Sequence, residues 1–130
     1  MTTNPRATSL EASVATASPD RLLVMLFERL VLDVQRGLEA QRCGDLCETN
    51  RQLRHAQEIV TELQSSLWAD HVKGGYDLSA LDGFLHRRLV LANMRKEARM
   101  TDECLQLVTD LCDTWRQVAL ESISPTAQGA

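Results

Sequence analysis

Little in this chain favours a β-sheet. Aromatic residues make up 4% of it, whereas strands draw heavily on β-branched and aromatic side chains. Three prolines and six glycines are too few for the closely spaced turns of an all-β fold. Long hydrophobic runs are missing too. The longest unbroken one spans Leu22 to Phe27, far short of the ~20 residues that cross a bilayer, so membrane insertion is not expected. No basic region followed by an apolar stretch opens the chain, so no secretory signal is read there and a cytoplasmic location is expected. Positive charge is in deficit: 14 Lys and Arg face 18 Asp and Glu, for a net charge of −4. Binding along a phosphate backbone needs a cationic excess, and nucleic acid is set aside as a partner.

Catalytic signatures are also lacking. There is no G-x₄-G-K-[ST] loop to cradle phosphates and no G-x-S-x-G elbow. A di-iron bundle needs glutamate three residues before histidine, but Gln52, Trp68 and Gly83 precede His55, His71 and His86 at that spacing. Covalent haem would need C-x-x-C-H. The four cysteines, Cys43, Cys47, Cys104 and Cys112, form no close metal-ligand motif, since "CGDLC" is C-x₃-C across a turn. They read as free thiols acting as small hydrophobes. His55 is the one side chain to weigh for chemistry, because helical bundles also carry phosphotransfer histidines on an exposed face. Those domains follow the histidine with a lysine and a glycine. Here "AQEIVTE" follows, and His55 reads as a solvated surface residue. No enzyme, metal or cofactor is expected.

What the chain does have is helical periodicity. Residues 1–17 are small and polar, with Leu10 and Val14 as the only helically spaced apolar pair, and read as a mobile arm. Ser18-Pro19-Asp20 is a helix start: a capping hydroxyl, a proline where no N–H is needed, and an acid at the positive end of the dipole. The first helix runs to about Arg42, with a core stripe of Leu23, Phe27, Leu30, Val34 and Leu38, widened by Val24, Leu26 and Val31. Gly44 suits the left-handed position after it, and Asp45 caps the next helix. That second helix, about Leu46 to Trp68, has one stripe, Leu53, Ala56, Ile59, Val60, Leu63 and Leu67. Its opposite face carries Arg51, Arg54, His55, Glu58 and Glu62. A loop around Gly74-Gly75 leads to a third helix, about Leu78 to Lys96, with core residues Leu78, Leu81, Leu85, Leu89 and Ala92. Thr101, Asp102 and Glu103 start a fourth, with Cys104, Leu107, Val108, Leu111, Trp115 and Val118 inward. Residues 122–130 form a short disordered tail. Four helices of about 20 residues joined by short connections imply an all-α antiparallel up-down four-helix bundle over residues 18–121.

Two of these helices carry more apolar surface than one stripe needs. On the first, Met25 and Leu32 point almost opposite to the core stripe, among Glu28, Arg29, Arg36 and Glu39. On the third, Ala80, Phe84, Leu91 and Met94 form a second stripe rotated from the first. Aligned apolar residues on a wet face mark an interaction surface. Such a surface would accept amphipathic helices from another chain, or seam a homodimer.

These residues lie within a longer resemblance. "TASPDRLLVMLF" at Thr16–Phe27 is similar to the T-A-S-P-x-x-L-x-x-M-L-Y signature of the FliS family, flagellar export chaperones for flagellin. "AQEIVTELQSSL" at Ala56–Leu67, the Gly74-Gly75 loop, "RRLVLAN" at Arg87–Asn93 and Trp115 follow in order. The resemblance spans Val14 to about Val118. It implies a cytoplasmic bundle that binds the disordered C-terminal segment of flagellin, blocks its premature polymerisation and brings it to the flagellar export gate without a nucleotide. The partner-binding residues expected on this reading are Met25, Leu32, Ala80, Phe84, Leu91 and Met94, with Leu10 and Val14 of the arm. The chain departs from the family where tyrosines are common: the arm has none, Phe27 replaces the signature's last tyrosine, and Asp82 stands at a tyrosine position.

Overall fold

The structure is a computed structural model that describes residues 19–64 and 78–123, with side chains from 21 to 64 and from 81 to 121. It contains helices α1 (Pro19–Arg42), α2 (Leu46–Glu62), α3 (Leu78–Arg95) and α4 (Ala98–Ile123). Each helix packs on the next, and α4 returns to α1, which is the neighbour pattern of an up-down bundle. Side-chain links show the alternating direction. Gln41, late in α1, donates to the Ala92 carbonyl late in α3 (3.3 Å), and Asn93 donates to Asn50 early in α2 (2.9 Å). At the other end Arg116, late in α4, reaches Glu28 early in α1 (3.7 Å). No helix among the described residues is long and apolar enough to cross a membrane.

The α1–α2 turn follows from its three residues. Gly44 takes φ +76°, a left-handed conformation that costs a side-chain-free residue least. The Asp45 N–H then reaches the Ala40 carbonyl (2.9 Å) and the Gly44 N–H the Gln41 carbonyl (3.1 Å), closing the end of α1 as a Schellman motif. Asp45 accepts from the Glu48 N–H (3.0 Å) and so starts α2.

The α3–α4 turn departs from expectation. α3 ends at Arg95 and α4 begins at Ala98, three residues before Thr101. Lys96 makes the turn at φ +53°, a position where a lysine sends no sequence signal. Thr101 therefore does not start the helix: it is fully buried inside the first turn, its hydroxyl 3.5 Å from the Glu97 carbonyl. Met100 joins the core. α4 also extends to Ile123, past the expected tail boundary.

The core joins the inward stripes, with Leu23, Phe27, Leu30, Val34, Leu53, Val60, Leu63, Leu85, Leu89 and Val108 excluded from water. Burial of each large side chain contributes roughly 1.5–3 kcal/mol. At Gly37 a Cβ would lie 2.8 Å from Leu53 Cδ2, so α1 and α2 meet there at close range. The cysteines divide. Cys104 and Cys112 are buried small hydrophobes, and burial pushes the Cys104 thiol up to about 11. Cys43 and Cys47 are exposed instead, because the turn carries them out of the interface.

Candidate functional site

α1 lies between α2 and α4, so its outer face forms a floor with a wall on either side. An open cleft of about 830 Å³ runs along that floor, lined by Leu22, Met25, Leu26, Val31 and Leu32. Polar groups edge it: Glu28, Arg29 and Gln35 from α1, Glu62 from α2 and Arg116 from α4. Met25 and Leu32 are half-buried rather than stray. Leu26 and Val31 serve two surroundings, packing against the core while lining the cleft. Periodicity identified Met25 and Leu32 as surplus but assigned Leu26 and Val31 to the core stripe alone. Leu22 went unassigned; its place in the unbroken apolar run was the available signal.

The α3 residues do not share that arrangement. Phe84 is 47% exposed and Met94 74%. Leu91 leans against the core. The Ala80 side chain lies outside the described residues, as do Leu10 and Val14. The described members of the stripe do not share one degree of burial.

Two buried aspartates were not anticipated as such. Asp33 of α1 is fully buried. Its Oδ2 meets Nδ1 of His55 from α2, and its Oδ1 lies 3.1 Å from the Nε of Arg29, one turn back. His55 is thus not a freely solvated residue. Its side chain is 46% exposed, yet one ring nitrogen is committed to a carboxylate in the interior. The bond sets the tautomer, placing the hydrogen on Nδ1. Histidine at 55 faces aspartate at 33 only once α1 and α2 are docked, so no local pattern reveals the pair.

Asp82 of α3 is 1% exposed, and neither of its carboxyl oxygens has a hydrogen-bond partner. Burial without a partner pushes its carboxyl up to about 7, because the ionised form has lost its water. A phenol at this position could bury its ring, which a carboxylate cannot do.

Among the described residues no group of three or more His, Cys, Asp or Glu could hold a metal ion. The described surface that stands out is an open apolar channel with charged edges on α1, while α3, which packs on α2 and α4, carries two exposed apolar side chains.

Relatives match most of this sequence. The chain is 31% identical over 114 residues to the flagellar secretion chaperone FliS of Bacillus subtilis (strain 168), covering 88% of this chain and 85% of that protein. It is 31% identical over 115 residues to the flagellar secretion chaperone FliS of Salmonella typhimurium, covering 85% and 84%. The protein of the same name in Vibrio cholerae is 24% identical over 122 residues. The family model described as flagellar protein FliS matches residues 2–122. With a match of that extent over this helical framework, the chain belongs to the FliS family.

Proposed function

We propose that this protein is a cytoplasmic flagellar export chaperone. It holds the disordered C-terminal segment of flagellin in apolar grooves, prevents its premature polymerisation and aids its delivery to the flagellar export apparatus. The observation that carries this reading is the α1 cleft, an apolar channel of about 830 Å³ open along one helix of a family of secretion chaperones.

The energetics favour a long guest over a short one. A guest helix that seats three or four large side chains gains roughly 1.5–3 kcal/mol for each. Ordering a disordered segment costs about 2–5 kcal/mol or more. One cleft therefore gives modest affinity, and contacts at Phe84, Leu91 and Met94 on α3, with Ala80, add to it. Met25 and Met94 suit such surfaces because an unbranched thioether adapts to different neighbours. Leu10 and Val14 are the arm's anchors in this scheme. No cofactor takes part.

Calorimetric titration with a peptide of the flagellin C-terminal segment, with light scattering on the same samples, tests the reading. The expected result is saturable binding that gives a complex of one chain with one guest. No binding, or a stable homodimer that the peptide leaves intact, overturns it.

A further inference from the structure

A second, polar cleft of about 380 Å³ lies beside the apolar one, over the α1–α2 seam. Arg29 lines both, so the two clefts adjoin at that side chain. Arg51, Arg54, His55 and Glu58 complete its charged wall.

Most of that charge is already neutralised. Arg51 holds Glu48 through two hydrogen bonds of 2.7 and 3.0 Å, and this pairing, with a third bond from Gln52, keeps the Glu48 carboxyl down at about 2. Arg29 is paired with Asp33. Arg54 has no ion-pair partner among the described residues, although Glu58 stands one turn further along α2. His55 is committed through Nδ1 only. Its Nε2, on the other side of the ring, has no partner among the described residues. Because Asp33 is fully buried, the ring is anchored from below rather than swinging on a surface helix.

We infer that this cleft takes an acidic side chain of the guest. A chain laid along the apolar floor of α1 and crossing Arg29 reaches the guanidinium of Arg54, which has no ion-pair partner among the described residues and stands beside the anchored ring of His55. A guanidinium fork matches a carboxylate with two parallel N–H donors. The guest this site fits has an apolar helical face for the first cleft and an aspartate or glutamate beyond it for the second. The inference rests on the chaperone reading above. It adds a register to it, because apolar burial alone lets a greasy helix slide whereas a paired charge fixes its position.

Fluorescence anisotropy with the labelled C-terminal segment of flagellin, at low and high salt, tests this. Arg54→Glu is expected to weaken binding about tenfold at low salt and Arg54→Gln a few-fold, with both differences shrinking as salt rises. Arg42→Glu, an exposed reversal outside both clefts, should bind like the parent. Changing the guest's acidic residues to lysine should weaken binding to the parent and restore binding to Arg54→Glu. If the parent binds and Arg54→Glu binds within about twofold of it, the acidic contact is refuted and the chaperone reading stands. If the parent does not bind at all, the chaperone reading itself falls.

Discussion

The two helices with surplus apolar surface, α1 and α3, solve the same problem differently. Each also buries one aspartate. On α1 the extra residues converge in a cleft because α2 and α4 rise on both sides, and Asp33 finds His55 and Arg29. α3 is the least packed of the four helices. Its Phe84 and Met94 stand exposed, and Asp82 is buried with no hydrogen bond. The contrast teaches that a stripe becomes a groove only where neighbouring helices wall it, and that a buried charge is tolerable only where a second helix answers it.

The largest effect is expected where that answer is removed. His55→Leu should destabilise the fold by about 3 kcal/mol in denaturant unfolding, since it leaves Asp33 buried with Arg29 alone. A neutral result would mean that Asp33 is no better served than Asp82.

The next tests the unanswered charge. The folded protein holds the Asp82 proton to about pH 7, whereas the ordinary carboxyl loses it near 3.8. The folded state binds more protons in that window, so stability is greatest below it and declines as pH rises through it. Asp82→Asn should remove this part of the pH dependence and raise stability by about 2 kcal/mol at pH 8. Parallel unfolding curves for parent and variant at pH 5 and pH 8 would contradict the assignment.

Smaller effects separate the two apolar faces. On the proposed function, Leu32→Asp in the walled cleft should weaken flagellin binding about tenfold, and Phe84→Asp on the open face roughly fivefold. Helical content and thermal unfolding should stay near the parent for both, because neither side chain belongs to the core. If Phe84→Asp proves the more damaging, the principal anchor lies on α3. If it collapses the fold, Phe84 is core.

Much of the fold was legible because its signals are local. Ser18-Pro19-Asp20 and Cys43-Gly44-Asp45 announce helix ends through capping and φ preference, and α1 ends at Arg42 as read. The start of α4 was not legible, since the turn before it rests on a lysine at φ +53°, a conformation that this residue type does not announce. The candidate site was half legible. Met25 and Leu32 stood out against charged neighbours, while Leu26 and Val31 read as plain core and serve both.

The amino-acid sequence by itself determined four amphipathic helices, their turn chemistry and the family, because each depends on residues close together along the chain or on a pattern kept in order. Tertiary structure alone decided that five apolar side chains of α1 share one channel, that His55 meets Asp33 and that Asp82 meets nothing. A period of 3.6 residues tells which way a side chain leaves its helix, but burial and pairing depend on what the neighbouring helix brings to that side.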